Sequence, residues 1–539
     1  MSARDALAAL DREQADIVVL ERGSAARRQE LEQAVAWGLG GVRVARLAWR
    51  GLPEVPASAS EVVGRRAAAA GAPFALVRDR GREARRPAIG AITRPAEPAP
   101  GWSVLHRLEE RHDAASEGRL WFLRRAGKIA ESLGVQVFAV GGVVRDLLLP
   151  SAGAAPDLDL VVEGDGIAFA RTLAETIGAG VLPHGAFGTA SIEGGRSPDG
   201  TALGRIDVTT ARREHYPAKG ALPRTLPGRL GDDIDRRDFS VNALAITLAS
   251  EGFGRLVDAR GGRRDLAERR LRPLRPLLMV EDPTRVFRAA RYAARLGLRP
   301  GAEFEAALDL CRRAGPYPAL SGERLRAELD LIVAEPRAAL ALELLVRWRA
   351  LVLWDPAYRH PGPGRRRRRL RLAQRLGSRR PGVGAGRAEV ALVALLLDQS
   401  ARVVRRVLDR LRVSGRPRTE LERALGTSRV LARRLEVTRR RSERARLLRP
   451  EPPAVLAAAW LRGGPRARRS IDAFVRRGRE VRAHLTGAEI AALGVPRGPA
   501  IAACLEHLRD LRLDGWRGSA AGERRLVTEW MRNQKGGAA

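Results

Sequence analysis

The fold of this chain is decided by the stretch Val135–Leu149, which reads VQVFAVGGVVRDLLL. The apolar run Val135–Val140 has the composition of a buried strand, and the pair Gly141-Gly142 follows it directly. A helix is predicted to start at Arg145 and to include Leu149. A glycine turn between a strand and a helix lets backbone N–H groups approach a bound anion, and the positive end of the helix dipole adds to the attraction. Glycine pairs are common turns, so the residues that follow must decide whether this one handles phosphate.

Two carboxylates follow about ten residues later on a second apolar run. Asp157 and Asp159 lie two apart on the strand predicted at Leu158–Val162, so their side chains share one face. Carboxylates on one face repel each other unless a cation lies between them. Mg²⁺ is bound by one or two carboxylates together with substrate phosphate oxygens, and a pair of such ions can activate an attacking hydroxyl. Asp-x-Asp alone is often only an exposed strand end, but after the glycine turn and Arg145-Asp146 it favours a phosphate-handling metal site.

A later helix carries acidic and basic residues with helical spacing. In the segment MVEDPTRVFRAARYAARLG, Glu281, Arg285, Arg288 and then Arg291 or Tyr292 fall on one face. Asp282 lies three residues before Arg285, so the two side chains can pair. A fixed acceptor beside a bidentate donor can mimic the pairing edge of a base. Taken alone, the segment equally fits a surface helix with ion pairs.

Composition points to a polyanionic partner. The chain has 539 residues, which predicts three to four domains, and its 97 basic and 62 acidic residues give a net charge of +35. Lysine occurs only at Lys128, Lys219 and Lys535, so codon bias explains why arginine replaces lysine. Codon bias explains the excess of positive charge less well, so the net charge favours a nucleic acid as the binding partner.

Cysteine content and hydropathy bear on localisation. Two distant cysteines, Cys311 and Cys504, form no disulfide framework, which favours a reducing compartment. The first residues are charged and carry no apolar signal core, and no apolar run approaches the ~18 residues that a membrane span needs. We expect a cytoplasmic protein with no membrane partner.

The secondary-structure pattern divides the chain. Residues 1 to about 50 look helical, and residues 56–94 read as helix, strand, turn and strand. An α/β pattern runs from Leu120 to about Gly262, with further strands predicted at Thr189–Ile192 and Arg205–Thr209, and helical periodicity takes over after about residue 265. The basic run 365–369 fits either an RNA-backbone patch or a charged linker.

Several of these segments resemble one family. VFAVGGVVRDLLL and PDLDLVVEGDGIAFA resemble the catalytic head of class II tRNA nucleotidyltransferases and bacterial poly(A) polymerases, which belong to the DNA polymerase beta superfamily. HGAFGTASI, RIDVTTARREHYPAKGALP, DDIDRRDFSVNALAI and LVDARGGRRDL continue the resemblance in the family's order. The Glu281–Arg291 helix resembles the family's nucleobase-reading helix.

The resemblance implies roles for named residues. Asp157, Asp159 and Asp207 would be the catalytic carboxylates and would bind two Mg²⁺ ions. Arg145 would contact the triphosphate or ribose, Asn242 would lie near the sugar, and Arg288 and Arg291 would hold the helix or the triphosphate. The full set of nucleotide-binding residues implied is Gly141, Gly142, Arg145, Asp146, Arg237, Asp238, Asn242, Glu281, Asp282, Arg285, Arg288 and Arg291.

The resemblance also implies an α+β multidomain architecture. A mixed α/β nucleotidyltransferase head would be followed by an all-α neck, body and tail, and preceded by a small α/β module. The layout AAGAPFALVRD…AIGAITR makes that module either a CBS-like remnant or a capping module. The expected boundaries are 1–100 for the module, 118–262 for the head, 263–356 for the neck, 380–470 for the body and 471–535 for the tail.

The implied activity is template-independent addition of nucleotides from CTP and ATP to the 3′ end of tRNA, with release of pyrophosphate. A poly(A) polymerase and a CC-only or A-only adding enzyme share the same motifs. The segment DLDLVVEGDGIAFA and the CBS-like layout lean towards the branch with separate CC-adding and A-adding enzymes. Two other classes remain as alternatives: a non-catalytic RNA-binding scaffold and a small-molecule nucleotidyltransferase.

Overall fold

The computed structural model describes most of the chain in two compact units, Met1–Ser321 and Gly322–Ala539. The described residues are 1–13, 17–19, 25–48, 54–56, 76–78, 104–110, 113–149, 158–185, 188–360, 362–377 and 383–536. Asp157 and most of the CBS-like layout lie outside these residues.

A seven-stranded sheet forms the centre of the first unit. Its strands, in spatial order, are Leu256–Val257, Ala245–Thr247, Gln136–Val140, Leu158–Glu163, Ile206–Thr210, Thr189–Glu193 and Gly180–His184. Leu158–Glu163 and Ile206–Thr210 pair in parallel, and every other neighbouring pair in this sheet is antiparallel. Because the parallel pair lies in the middle of the sheet, its polar face is flanked by structure on both sides.

Two helices bury one face of this sheet. Helix Ala114–Ser132 begins where the Asp113 carboxylate accepts from the Ser116 N–H, and helix Gly166–Thr176 begins where Asp165 accepts from two backbone N–H groups. These caps satisfy N–H groups that have no partner within the helix. Phe122 and Phe169 are fully buried in the core between these helices and the sheet. The apolar face of the sheet is therefore fixed, and the opposite face is left for chemistry.

The described residues of the first unit contain nine further α-helices. They are Ala3–Glu13, Arg28–Ala36, His106–Glu109, Gly142–Leu147, Leu230–Asp235, Gly262–Ala267, Leu278–Glu281, Thr284–Leu296 and Ala302–Ala314. Four two-stranded pairs accompany them: Ile17–Val19 with Ala25–Arg27, Glu54–Pro56 with Leu76–Arg78, Arg212–His215 with Arg224–Pro227, and Arg270–Leu271 with Arg299–Pro300.

The described part of the second unit is helical and contains no strand. Its α-helices are Gly322–Ala334, Ala338–Arg347, Pro363–Gly377, Arg387–Leu396, Ala401–Arg410, Gly415–Val437, Arg441–Leu448, Pro453–Arg462, Pro465–Ala473, Gly487–Ala492, Pro499–Asp514 and Ala520–Gly536. The basic run 365–369 lies inside the third of these helices, so it is not a linker. No helix in the described ranges combines the length and apolar character needed to cross a bilayer.

The α+β prediction, with a mixed head followed by helices, is confirmed. Two local predictions are wrong. Residues 1–50 are not all helical, because the β-branched run Ile17-Val18-Val19 pairs with Ala25–Arg27. The helix expected to start at Arg145 begins at Gly142, since Gly141, with a φ of 72°, ends the strand and the helix follows at once.

Gly127 tests how tightly helix Ala114–Ser132 packs. A Cβ there would lie 2.0 Å from the Leu248 carbonyl oxygen, whereas a Cβ at the exposed, helical Gly426 would meet nothing within 4 Å. Alanine in place of glycine favours a helix by about 1 kcal/mol, but overpacking costs about 1 to 3 kcal/mol or more. We expect Gly127→Ala to lower the urea unfolding midpoint and Gly426→Ala to leave it unchanged or raise it. Equal midpoints for the two variants would contradict the close approach.

Candidate active site

Two carboxylates lie side by side on the parallel strand pair. Asp159 and Asp207 are register partners, so their side chains share one face of strands about 4.8 Å apart. Asp207 Oδ1 accepts from Ser191 Oγ at 2.6 Å, and Arg205 Nε donates to both Asp207 oxygens at 3.0 and 3.2 Å. The structure thus brings Asp159 and Asp207 together, while Asp157, two residues before Asp159, lies outside the described residues.

The chemistry of these donors fits a hard divalent cation. Asp159 and Asp207 are half-buried and offer only oxygen ligands, which are the ligands that Mg²⁺ prefers. Among the described residues no third His, Cys, Asp or Glu completes a metal cluster with them.

The glycine turn lies against this pair. A Cβ at Gly141 would lie 2.8 Å from Arg237 Nη1 and 3.7 Å from Asp159 Oδ2, and the positive φ also disfavours a side chain. The Gly141 N–H already donates to the Leu244 carbonyl at 2.9 Å. Backbone donors for a phosphate must therefore come from the first turn of helix Gly142–Leu147, where N–H groups have no intrahelical acceptor.

A buried polar network surrounds the first turn of that helix. Arg145, 3% exposed, donates through Nε to Asp146 Oδ1 at 2.7 Å and through Nη1 to Asn242 Oδ1 at 2.6 Å. Asn242 Nδ2 donates in turn to Asp238 Oδ1 at 2.9 Å, and Arg295 Nη2 donates to Asp146 Oδ2 at 3.1 Å. These hydrogen bonds hold the Arg145 guanidinium and the Asn242 amide each from two sides, so both side chains have a fixed orientation.

Arginines also gather around the ring of Tyr292. The guanidinium carbons of Arg145, Arg288 and Arg291 lie 5.7, 5.5 and 5.0 Å from the ring centroid. Arg288 Nε donates to Asp238 Oδ2 at 2.8 Å. Burial by itself would raise the pKa of Asp238, but the charge of Arg288 and hydrogen bonds from Asn242 and Arg288 hold it below its usual range. Positive charge therefore gathers around Tyr292, and the Asp238 carboxylate stays ionised at neutral pH.

Arg285 lies buried beneath the start of helix Thr284–Leu296. At 6% exposure it donates to Glu281 Oε2 at 3.3 Å, to the Tyr216 hydroxyl at 3.1 Å and to the Arg236 carbonyl at 2.9 Å. Burial by itself would lower the pKa of Arg285, but the neighbouring Tyr216, Asp282 and Glu281 raise it overall. Its guanidinium is thus fixed in position and charged.

Asp282 is oriented by the helix that it precedes. Its Oδ1 accepts from the Thr284 N–H at 3.1 Å and from Thr284 Oγ1 at 2.7 Å, and the Arg285 N–H donates to the Asp282 carbonyl at 3.1 Å. Asp282 is half-buried and Arg285 is held by other acceptors, so both groups are fixed next to each other at the start of the same helix.

Asp233, which is not among the predicted site residues, connects parts of the site. This carboxylate is 0% exposed; its Oδ1 accepts from Arg236 Nε at 2.7 Å, and its Oδ2 accepts from Arg237 Nη2 at 3.0 Å. Arg237 reaches the glycine turn, and the Arg236 carbonyl accepts from Arg285. The signal was present in DDIDRR, where Asp233 precedes the two arginines by three and four residues.

Glu214 and Tyr216 were missed as well. The Tyr216 hydroxyl donates to Glu214 Oε2 at 2.9 Å while it accepts from Arg285. Burial raises the pKa of the Tyr216 hydroxyl, so it remains a donor. Glu214 Oε1 accepts from Arg236 Nη1 at 3.2 Å, which closes a loop of hydrogen bonds from Asp233 to Arg285. No motif in the sequence links these distant residues.

Asp233→Asn tests this connection. Removing one charge from a buried ion pair costs about 3 to 5 kcal/mol, so we expect a large loss in the free energy of unfolding at pH 7. Burial alone would raise the pKa of Asp233, but Arg237 and Arg236 hold it below its usual value, so its stabilisation is present above the unfolded pKa and is lost as the pH falls towards the folded one.

The measurement is urea unfolding of the wild type and the variant at pH 7, 4 and 3, the last of which lies below the unfolded pKa. The difference should shrink at the lowest pH. Glu268→Gln, which removes an exposed ion pair with Arg270, is the matched control and should cost about 1 kcal/mol or less. A pH-independent difference for Asp233→Asn would show that its charge does not stabilise the fold.

Comparison with known proteins places these residues in a family. Residues 137–272 match the family described as the Poly A polymerase head domain. The chain is 35% identical over 437 residues to an A-adding tRNA nucleotidyltransferase of Geobacter sulfurreducens, covering 75% of this chain and 46% of that protein. It is 36% identical over 413 residues to a CC-adding tRNA nucleotidyltransferase of Deinococcus radiodurans, covering 76% of this chain and 91% of that protein.

A solved structure agrees with the sequence relatives. The apo form II of a CCA-adding enzyme superposes with a TM-score of 0.67 at 25% identity, over 79% of this chain and 99% of that one. The chain spans less than half of the Geobacter relative but nearly all of the Deinococcus relative. On the strength of that near-complete match, and of a head that carries the matched segment, this chain belongs to the tRNA nucleotidyltransferase family.

Proposed function

We propose that this protein transfers nucleotides from CTP or ATP to the 3′-hydroxyl of tRNA without a template and releases pyrophosphate. The observation that carries the proposal is the in-register pair Asp159 and Asp207 beside the Gly141 turn and its arginines. In this arrangement two carboxylates, the proposed metal ligands, lie close to guanidinium groups, the proposed phosphate ligands. The near-complete match to the CC-adding relative supports the choice of tRNA over a small-molecule acceptor.

The carboxylates would hold magnesium. Asp159 and Asp207, joined by Asp157, provide the oxygen ligands, and Ser191 and Arg205 keep the Asp207 carboxylate oriented towards that shared face. Divalent ions bound there would activate the attacking hydroxyl and stabilise the leaving oxygen. The carboxylates need no other chemical role, since phosphoryl transfer depends mainly on positioning and on neutralising charge.

The basic residues around the glycine turn would hold the triphosphate and sugar. Arg237 lies against Gly141, so its guanidinium and the first N–H groups of helix Gly142–Leu147 converge on one region. Preorganised donors of this kind stabilise the charge that develops on phosphate oxygens. Arg145 and Asp146 fix Asn242 and Arg295 around the same region, while Arg288 and Arg291 add positive charge beside Tyr292.

The start of helix Thr284–Leu296 would select the base. Cytosine and adenine each present an amino donor next to a ring-nitrogen acceptor on the pairing edge, whereas uracil and guanine present a carbonyl next to an N–H. A carboxylate at Asp282 and a guanidinium at Arg285 match the first pattern and oppose the second. Glu281 and Tyr216 hold Arg285 in place, so the selection is made by fixed side chains and needs no template.

An extension assay tests the activity directly. Three tRNA transcripts, ending at the discriminator base, at C and at CC, are given CTP, ATP or both with Mg²⁺. We expect addition of C, of A or of both, and the products separate a CCA-adding programme from the CC-only and A-only programmes of the relatives. Long adenylate tails would instead indicate a poly(A) polymerase, which the head-domain match also allows.

Asp159→Asn should reduce the rate of addition about a thousandfold or more, because several kcal/mol of charge stabilisation depend on that carboxylate. Asp330→Asn, at an exposed ion pair with Arg326, is the matched control and should leave the rate unchanged. Full activity in Asp159→Asn would contradict the assignment, and no addition by the wild type would favour a binding scaffold.

Base selection is tested at Arg285. We expect Arg285→Lys to lower kcat/KM for CTP and ATP by about 10- to 100-fold and to reduce the ratio of these values to those for UTP and GTP. Lysine cannot keep the hydrogen bonds that fix Arg285 and also donate to a base. Tyr216→Phe removes one hydrogen bond to Arg285 and should show a smaller loss in the same direction. An unchanged preference among the four triphosphates in Arg285→Lys would place base selection elsewhere.

A further inference from the structure

Four helices of the second unit enclose a cavity of about 560 Å³ that is rich in arginine. The helices are Pro363–Gly377, Gly415–Val437, Pro453–Arg462 and Pro465–Ala473. Six guanidinium side chains line the cavity, here called the arginine cavity: Arg368, Arg369, Arg429, Arg433, Arg462 and Arg468. The residues come from segments about 100 positions apart, so the fold, and not a run of basic sequence, gathers them.

The two carboxylates of the arginine cavity leave most of this charge unbalanced. Asp398 accepts from Arg369 at 2.7 and 3.3 Å. Glu436 Oε1 accepts from the Ala467 N–H at 3.0 Å at the start of a helix, so that carboxylate is engaged by backbone. Six arginines against two carboxylates leave four positive charges in excess within one concave space.

Two of the arginines are held rigidly with donors to spare. Arg462 Nε donates to Ser428 Oγ at 3.2 Å and its Nη2 donates to the Leu397 carbonyl. Arg468 Nε donates to the Trp460 carbonyl at 3.0 Å, and its guanidinium carbon lies 5.2 Å from the Trp460 ring. A guanidinium has five N–H donors, so Arg462 Nη1 and both terminal nitrogens of Arg468 can still bind an anion.

Like charges are held close together in this space. Burial lowers the pKa of Arg462, and the neighbouring Arg429 and Arg369 lower it further. Burial likewise lowers the pKa of Arg468, with Arg368 acting in the same direction. Such repulsion is relieved when an anion enters, and a planar guanidinium fork matches phosphate oxygens with two parallel hydrogen bonds.

We propose that the arginine cavity is a binding site for a multiply charged phosphate ligand, supplied by the backbone of an RNA or by a free polyphosphate. A single carboxylate would leave three of the four excess positive charges without a partner, so the count of charges favours a multiply charged ligand. The site lies wholly within the helical unit, so it does not depend on the chemistry of the head. If the phosphate belongs to an RNA, this proposal rests on the proposed function, because the bound RNA would be the substrate that accepts the nucleotide.

The test uses the full chain and two double variants that each remove two positive charges. Arg429→Gln/Arg433→Gln alters the arginine cavity at two exposed side chains for which no hydrogen bond or ion pair is found among the described residues. Arg412→Gln/Arg416→Gln is the matched control, with side chains 74% and 87% exposed that pair with Glu323 and Glu420. Circular dichroism spectra of both variants are compared with the wild-type spectrum as the control for folding.

Binding of a fluorescent tRNA transcript and of inorganic tripolyphosphate is measured for each protein between 50 and 300 mM salt. If the ligand is the RNA backbone, we expect the cavity variant to bind tRNA about tenfold or more weakly than the wild type. The negative slope of log K against log salt should become shallower by about 1 to 2. The control should lose less than about threefold. For the free-anion form, the cavity variant should lose tripolyphosphate binding while tRNA affinity matches the control.

Equal affinities of the cavity and control variants for both ligands would overturn the proposal. A failure of this proposal can be distinguished from a failure of the proposed function, because the binding measurements do not depend on nucleotide addition. A wild type that binds phosphate at the cavity but adds no nucleotide to tRNA would sink the proposed function and leave this site standing.

Discussion

The pairing of two aspartates across one parallel register is the constraint on which the rest of the active site depends. Parallel strands place equivalent residues side by side, so Asp159 and Asp207 cannot move apart without breaking the sheet. Their mutual repulsion has to be offset by positive charge. The fold supplies part of it through Arg205 and Arg237, and the oxygen-only donor set leaves the remainder to cations. The glycine turn follows from the same constraint, because a side chain at Gly141 would clash with Arg237 and contact Asp159.

Charge balance explains why so many ionic groups are buried in this head. Asp233, Asp238, Glu281, Arg145 and Arg285 are all removed from water, which is costly unless each charge is paired. Each is held by at least two partners, and the hydrogen bonds form two networks. One contains Arg145, Asn242 and Asp238. The other runs from Arg237 through Asp233 and Arg236 to Arg285 and Glu281. A connected network has a functional advantage over separate pairs. The second network holds the phosphate side and the base side of the site at a fixed separation, as a nucleotide of constant geometry requires.

Local pattern was enough to predict part of this arrangement. The strand before Gly141 and the strand carrying Asp159 could be read from apolar runs, and the shared face of the carboxylates follows from two-residue alternation. Asp207 as the register partner could not be derived in this way, because pairing between strands separated by about 50 residues depends on the whole sheet. The same limit applies to Asp233 and Tyr216, whose partners are distant in sequence. The strand pair near residues 17–27 was missed since it is three residues long and lies between two helices.

The near-complete use of arginine has a consequence for how the protein responds to its surroundings. With lysine at only three positions, almost all positive charge is carried by guanidinium groups, which keep their protons at any pH where the chain is folded. Neither the head nor the arginine cavity then loses attraction for polyanions as the solution becomes alkaline. Sensitivity to acid comes from the carboxylates and from the seven histidines, and sensitivity to ionic strength remains large. Salt, far more than proton concentration, is therefore the variable that should control how long an RNA stays bound.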